Sequence, residues 1–433
     1  MMVTENSPLA GGRKGYAVNQ NIAQTAVTDE ARSLLDEIVH QGAQEMLTAA
    51  LKWEIAEFLE RHETVVDEQG NRLVVRNGYL PERTIQTGAG ELKVRQGRVR
   101  DRRGSEDPDR VRFTSAILPP YLKKSKSIEE LIPWLYLRGI STGDFQEALQ
   151  ALLGEGAKGL SATTINRLTK IWEQEYEGWS RRSLEGKEYV YIWADGVYFN
   201  IRLEEDRQCI LVLMGATADG KKELIGILDG YRESTQSWRE LLLDVKMRGL
   251  VLPPKLAIAD RAMGFWAALQ EVYPQTREQL CWLHKTARVL NCLPKGMQAK
   301  AKSDLHEIWQ AETKEKAEEA FERFEAKYKA KYPKAVEILT KDRDKLLTFY
   351  DFPAEHWIHL RTTNPIESMF DTVRHRHRKT KGSGSRTACL AMVFKLAQAA
   401  ERNWRRLNAP KLVGKVLEGY VFEDGIMQER NAA

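Results

Sequence analysis

Two aspartates stand at the ends of apolar runs in the middle of the chain. Asp195 closes YVYIWAD, and Asp260 closes KLAIAD. A carboxylate is costly inside a core, but it is tolerated at a sheet edge that faces a crevice, where α/β sheets bind their ligands. Taken alone, either aspartate is better explained as the first residue of a turn.

A third acid, Glu367, lies in RTTNPIESMF. Asn364 is a suitable N-cap and Pro365 suits the first position of a helix, so Glu367 would fall at the third position. This pattern predicts a capping box, which explains Glu367 without any catalytic role.

Together, the three acids permit a second interpretation. Asp260 comes 65 residues after Asp195, and Glu367 comes 107 residues after Asp260. Carboxylates that met in the fold could hold two divalent cations, which would activate an attacking oxygen and stabilise the leaving oxygen of a phosphodiester. Mg²⁺ suits such oxygen ligands, and Mn²⁺ could take its place. Residue types alone do not select this triad among 61 acidic residues.

The elements that would position these acids follow from Lys187 onwards. Three apolar runs, a helix, a strand, a second helix and a short strand give the order β-β-β-α-β-α-β. This order predicts an α/β fold with a mixed sheet, and it is the strand order of an RNase H-like core. We place the core at 183–284 and 356–410. An all-α insertion at 285–355, rich in Lys, Glu and Ala, would separate its two parts.

The regions outside this core divide by composition. Residues 1–27 are small and polar and are predicted to be disordered. Apolar residues at three- to four-residue steps predict a helix in 28–66, whose apolar stripe either packs within the chain or forms a dimer interface. Residues 67–125 are Gly- and Arg-rich and predict short strands and turns, either solvated or lying on phosphates. Residues 411–433 are assigned to a C-terminal tail.

Residues 126–182 predict three short helices, of which the third is polar. Three helices of this kind resemble a helix-turn-helix DNA-binding domain, although small three-helix units that bind nothing are common. The candidate DNA contacts on the third helix are Thr164, Asn166, Arg167 and Lys170.

Basic residues also follow Glu367. They either form a solvated helix face or contact phosphates, and their position beyond a candidate catalytic acid favours phosphate contacts. The candidates are Arg374, Arg376, Arg378, Lys379, Lys381 and Arg386.

Cys281 and His284 form a C-x-x-H pair, which is half of a zinc site. No second pair lies at a suitable spacing, so zinc is not predicted. Cys281 is interpreted as a small buried residue. His284 is either a packed core histidine or a donor to the scissile phosphate.

Composition sets further bounds. The net charge of +5 is too small to prove a nucleic-acid partner. The chain has only four cysteines, too few to predict a disulfide framework, which favours a reducing cytosol. Neither a secretory leader nor a transmembrane run is recognised. No phosphate-binding G-x-x-x-x-G-K-[ST] loop occurs, so no nucleotide cofactor is expected.

Residues 70–410 resemble the Mutator-type family of bacterial insertion-sequence transposases. The resemblance rests on RNGYLPERTIQTGAGELKV, YIWADGVYFNIR, SWRELLLDVKMRGL, AIADRAMGFWAAL, CWLHK, RTTNPIES and TKGSGSRTACLAMVFKL. It implies a DDE transposase with Mg²⁺ at Asp195, Asp260 and Glu367, and it marks His284 through the C-x-x-H signature. It further implies double-stranded DNA partners (terminal inverted repeats and target), a homodimer, a cytoplasmic and nucleoid-associated location, and a replicative route through a circular intermediate.

Two other classes of function stay open from the sequence. One is an RNase H-like nuclease that cleaves without strand transfer. The other is a non-catalytic regulator that occupies inverted repeats.

Overall fold

The computed structural model describes residues 16–137, 140, 145–153, 162–201, 205, 207–261, 263–379 and 383–429. The chain divides into two compact units. The first, which we call the N unit, comprises Met1–Leu135 and Thr142–Leu160. The second, which we call the sheet unit, comprises Tyr136–Ser141 and Ser161–Ala433.

The N unit begins with a long helix, α1 (Tyr16–Arg61). Four strands follow: β1 (Val74–Tyr79), β2 (Arg83–Thr87), β3 (Gly90–Val94) and β4 (Gly97–Asp101). β1 pairs with β4 and β2 pairs with β3, both antiparallel. Leu51, Ile85, Val94 and Leu118 form a small core between helix and strands. The predicted helix and short strands are therefore confirmed.

Residues 16–27, which fall within the segment predicted to be disordered, belong to α1. The segment from 16 to 61 contains no proline and one glycine, and it is rich in alanine, so nothing local stops the helix. Residues 1–15 lie outside the described residues.

The sheet unit contains five strands and two helices in the predicted order. They are β5 (Tyr189–Phe199), β6 (Gln208–Thr217), β7 (Lys222–Gly230), α5 (Thr235–Met247), β8 (Leu256–Ala259), α6 (Met263–Val272) and β9 (Arg277–Leu280). Across the sheet the order is β7-β6-β5-β8-β9. β5, β6 and β7 are antiparallel neighbours, whereas β5–β8 and β8–β9 are parallel pairs. The mixed sheet is thus confirmed.

Helices fill the rest of this unit. They are α7 (Trp282–Leu290), α8 (Lys295–Trp309), α9 (Lys314–Tyr328), α10 (Pro333–Thr340), α11 (Arg343–Leu347), α12 (Trp357–Leu360), α13 (Asn364–Lys379), α14 (Arg386–Glu401) and α15 (Lys411–Leu417), with 3₁₀ turns at Thr348–Asp351 and Ala354–His356. The predicted all-α insertion is confirmed. One apolar core continues from the sheet into these helices.

The predicted C-terminal tail is folded over residues 411–429. α15 is followed by a short hairpin of β10 (Phe422–Glu423) and β11 (Ile426–Met427). Val413, Val416 and Phe422 are buried, and the Gly425 N–H donates to the Tyr350 carbonyl over 3.0 Å. Apolar residues in this segment therefore bind it to the insertion.

The three predicted helices of 126–182 form as α2 (Lys126–Leu137), α3 (Phe145–Leu153) and α4 (Ala162–Ser180). They do not belong to one unit, because α3 lies in the N unit and α4 in the sheet unit. Trp179 of α4 packs on Phe394 of α14 with ring centroids 5.0 Å apart, and Trp172 is buried. The helix predicted to read DNA is thus also a structural helix of the sheet unit.

Among the residues that the structure describes, no helix has the length and apolar character required to cross a membrane.

Candidate active site

Asp195 and Asp260 lie at neighbouring positions on two paired strands of the sheet. Ala194 of β5 is paired in parallel with Ala259 of β8, so the next residue on each chain is an aspartate. Paired strands lie about 4.8 Å apart, which brings the two side chains close together. β5 continues to Phe199, so Asp195 does not end its strand as predicted. β8 stops at Ala259, so Asp260 directly follows its strand, as predicted.

Each aspartate is held by neighbouring donors. The Gly196 N–H donates to Asp195 Oδ1 over 2.8 Å. The Arg288 guanidinium donates to Asp260 Oδ2 over 2.7 Å, and the Trp266 indole donates to the Asp260 carbonyl over 2.9 Å. These contacts fix the orientation of Asp260 more firmly than that of Asp195.

Glu367 lies in the first turn of α13, but the predicted capping box is wrong. The Thr363 carbonyl accepts the backbone N–H groups of Ile366 and Glu367, so Thr363 rather than Asn364 precedes the helix. Glu367 therefore lies one position deeper than predicted. Its carboxylate accepts a hydrogen bond from the Thr363 hydroxyl over 2.7 Å, which orients it.

Helix α7 connects the sheet acids to Glu367. The Cys281 N–H donates to the Ala259 carbonyl over 2.9 Å, which sets the start of α7 on the end of β8. His284, in the first turn of α7, has its Nδ1 atom 3.5 Å from Glu367 Oε1. Thr363 contacts Cys281 Sγ at 3.3 Å through both its N–H and its hydroxyl. The structure thus brings the predicted acids and His284 into one region.

Burial and neighbouring charges shift the pKa values of Asp195 and His284. Burial raises the pKa of Asp195 to about 7, and the charges of Glu233 and Glu367 add to this, while His284 opposes it. A hydrogen bond with Cys281 raises the pKa of His284 to about 9 against the effect of burial, with Asp260 and Asp195 adding to the rise. The raised pKa favours the cationic form of the half-buried His284.

Glu233 is a fourth acid at this site, and the sequence interpretation missed it. It lies between β7 and α5. Burial raises its pKa, and the charge of Asp260 raises it further. The predicted strand order held a signal. β7 and β5 run in the same direction, so the turn after β7 lies at the same edge of the sheet as the carboxyl end of β5, a few residues beyond Asp195.

Cys281, His284 and Glu367 offer three potential metal-ligand atoms that lie within 4.8 Å of one another. The sequence supplied only a C-x-x-H pair, and the fold adds a carboxylate to it. In the structure Thr363 connects Cys281 and Glu367 through hydrogen bonds.

The candidate DNA contacts after Glu367 have different surroundings. Arg376 is 1% exposed, and its guanidinium stacks on the Tyr136 ring at 4.3 Å, so its prediction as a DNA contact is wrong. Arg386 makes two hydrogen bonds to Asp229, of 3.0 and 2.7 Å. Arg374 and Arg378 are exposed on α13. The side chain of Lys379, and the whole of Lys381, lie outside the described residues.

The candidates on α4 lie along one helix. Asn166, Arg167 and Lys170 are exposed there, whereas the side chain of Thr164 lies outside the described residues.

The N unit contains a groove of about 1510 Å³ with a basic lining. Three of its lining residues are acidic, and one of them, Asp101, is paired with Arg103 at 2.7 Å. Tyr121 lies in the lining with its side chain almost fully exposed. The basic residues are Arg83, Arg98, Arg100, Arg110, Arg112, Lys123 and Lys124.

Comparison with known proteins assigns the chain to a class. Residues 17–407 match the family model described as "Transposase, Mutator family". The match covers most of the chain, so the protein belongs to the Mutator family of transposases, and the resemblance recognised in the sequence is confirmed.

Named relatives agree with this assignment. The transposase for insertion sequence element IS6120 of Mycolicibacterium smegmatis is 53% identical over 303 residues, which covers 70% of this chain and 93% of that protein. The transposase for insertion sequence element IST2 of Acidithiobacillus ferrooxidans is 52% identical over 288 residues, covering 65% and 95%. The transposase for IS256 in transposon Tn4001 of Staphylococcus aureus is 26% identical over 365 residues, covering 83% and 87%.

Proposed function

We propose that this protein is a DDE transposase with an RNase H-like core, which cleaves the terminal inverted repeats of an insertion sequence and joins the freed ends to DNA. The observation that carries the proposal is the meeting of three acids from distant parts of the chain. Asp195 and Asp260 follow paired residues of parallel strands. His284 interacts with the charges of both aspartates, and its Nδ1 atom lies 3.5 Å from Glu367 Oε1.

The donor set fits hard divalent cations. Asp195, Asp260 and Glu367 offer carboxylate oxygens, which Mg²⁺ prefers. Burial and the charges of Glu233 and Glu367 raise the pKa of Asp195, so its anionic form is costly without a counter-ion. A bound pair of such ions would activate the attacking oxygen and stabilise the leaving oxygen of a phosphodiester.

The side chains around the acids have separate tasks in this proposal. Arg288 holds the Asp260 carboxylate, and Thr363 holds that of Glu367. The cationic His284 is placed to donate to a non-bridging phosphate oxygen, where it would stabilise the charge that develops in the transition state.

The reaction needs no energy source outside the DNA. In the first step water attacks phosphorus, the bond to the 3′ oxygen breaks, and that oxygen leaves as a 3′ hydroxyl. In the second step this hydroxyl attacks another phosphodiester, and one phosphorus–oxygen bond replaces another.

DNA would be held by cationic surfaces on both units. The groove of the N unit offers seven basic side chains. In the sheet unit, Arg374 and Arg378 are exposed on α13, beyond Glu367. Phosphate contacts release counter-ions, so affinity for DNA should fall steeply as salt rises. A flat salt response would count against this assignment.

A homodimer would cover the apolar face that α1 leaves exposed. Val39, Met46 and Trp53 recur at seven-residue steps and are exposed, as is Leu35. Such spacing is typical of a helix that packs on another helix. Met46→Glu should therefore shift the protein from dimer to monomer in light scattering, and an unchanged mass would contradict the interface.

The catalytic proposal is tested with a labelled inverted-repeat duplex and Mg²⁺. We expect the wild type to give cleaved and joined products, and Asp195→Asn, Asp260→Asn and Glu367→Gln to give neither. Glu240→Gln, on the exposed face of α5, is the matched control and should retain both products. Cleavage without joined products would support a nuclease. Full activity in Asp195→Asn would refute catalysis by these acids.

A further inference from the structure

Glu233 packs against Gly196 of β5 and Gly264 of α6, two glycines that each lie close in sequence to a sheet acid. A Cβ atom on Gly196 would lie 2.7 Å from Glu233 Cγ and 2.8 Å from Glu233 Oε1, so only glycine leaves room for this side chain. A Cβ on Gly264 would likewise collide with the Glu233 carbonyl. Gly196 follows Asp195 directly, and Gly264 lies four residues after Asp260. The position of Glu233 therefore depends on a glycine in β5 and on another in α6.

The carboxylate of Glu233 interacts with the charges of the site. The charge of Asp260 raises the pKa of Glu233, in addition to burial, whereas His284 and Arg288 lower it. Glu233 in turn contributes to the raised pKa of Asp195. The backbone N–H of Glu233 donates to the Tyr198 hydroxyl over 3.3 Å, which holds the turn against β5.

We propose that Glu233 is a fourth carboxylate ligand of the divalent cations that Asp195 and Asp260 hold. The inference rests on the proposed function and extends its metal site by one residue. Four carboxylates face two cationic side chains, His284 and Arg288, which leaves an excess of negative charge. A divalent cation compensates such an excess, and carboxylate oxygens are its preferred ligands.

The test compares Glu233→Gln with Glu240→Gln in the full-length protein. Gln keeps the size of the side chain and removes its charge, and Glu240 is an exposed acid of the neighbouring helix α5. The first measurement is the rise of Tm as Mg²⁺ or Mn²⁺ is added without DNA, since an ion that binds only the folded state stabilises it. The second is the Mg²⁺ concentration that gives half-maximal cleavage of a labelled inverted-repeat end.

We expect Glu233→Gln to require at least about tenfold more Mg²⁺ than the wild type, both for the rise in Tm and for half-maximal cleavage. Even the loss of an outer-shell partner of a metal site changes metal affinity ~10–100-fold. Glu240→Gln should match the wild type. Gly196→Ala retains all four acids but displaces the Glu233 side chain, and it should raise the Mg²⁺ requirement in the same direction. This second variant tests the ligand independently of any effect of Gln on folding.

Wild-type Mg²⁺ dependence of both Glu233→Gln and Gly196→Ala would overturn the proposal. That result would leave the proposed function intact, provided that Asp195→Asn has lost cleavage. Conversely, if Asp195→Asn still cleaves, the proposed function fails, while the Mg²⁺-dependent rise in Tm still decides whether Glu233 binds the ion.

Discussion

Replacing Asp195 by asparagine should stabilise the metal-free protein while it abolishes cleavage. The carboxylate is largely removed from water and faces the charges of Glu233 and Glu367, so its anionic form is costly in the folded state. Asparagine has nearly the same shape and no charge. Asp195 is thus expected to lower the stability of the metal-free folded protein, although it is needed to bind the metal.

The magnitude follows from the pKa of Asp195, which burial raises from 3.8 to about 7. At 1.36 kcal/mol for each pH unit this corresponds to about 4 kcal/mol, and partial contact with solvent reduces it to about 2–3 kcal/mol. Between these two pKa values the folded state binds more protons than the unfolded state, so wild-type stability falls as pH rises. The full cost is present above pH 7 and is absent below pH 3.8.

Thermal unfolding of both proteins in EDTA at pH 5 and pH 8 measures this effect. At pH 8 the Asn variant should unfold about 4–8 °C above the wild type, and the difference should shrink at pH 5. Added Mg²⁺ should stabilise the wild type more than the variant. A variant that is less stable than the wild type at pH 8, or a difference independent of pH, would refute the reasoning.

Three further substitutions test other parts of the structure. Arg376→Met should lower Tm, because a guanidinium buried against Tyr136 loses a cation–π contact of about 2 kcal/mol, as thermal unfolding would measure. Arg378→Ala should leave Tm unchanged but weaken DNA binding and reduce the salt slope by about 1. Burial lowers the pKa of Lys222 to about 8, so between pH 8 and 10.5 the unfolded state binds the extra proton and stability rises with pH. Lys222→Met should remove this rise in the free energy of unfolding, which amounts to up to about 3 kcal/mol. Urea unfolding at pH 7.5 and at pH 10 would measure the difference.

Each of these three predictions has an outcome that would contradict it. A selective loss of DNA affinity in Arg376→Met, without a change in Tm, would place that side chain on the surface. A salt slope for Arg378→Ala equal to that of the wild type would remove it from the phosphate contacts. A wild-type pH profile in Lys222→Met would show that another group titrates.

The order of strands and the positions of the sheet acids could be predicted because they depend on local patterns. Apolar runs that end at Asp195 and Asp260 define the strands, and parallel pairing then aligns the two residues. The predicted start of α13 was wrong by one residue. Asn364 and Thr363 are both suitable N-caps, and the contact of Thr363 with Cys281 favours Thr363.

The surroundings of single side chains were harder to predict. Arg376 resembles its basic neighbours in RHRHRK, yet it lies three residues after the buried Val373 and so falls on the buried face of α13. That spacing was a usable signal. Glu233 had no comparable local signal, since its proximity to Asp195 depends on how the turn after β7 folds over Gly196.

The insertion between Asp260 and Glu367 has a consequence for the protein during its synthesis. Asp260, the later of the two acids of the sheet, leaves the ribosome 107 residues before Glu367. At ~5–20 residues per second this interval is roughly 5–20 s, during which a nascent chain would have no complete site. A product of premature termination before Asn364 would be equally inert. Under the proposed function, an unfinished polypeptide would be unable to cleave the host chromosome, and no dedicated inhibitor would be needed.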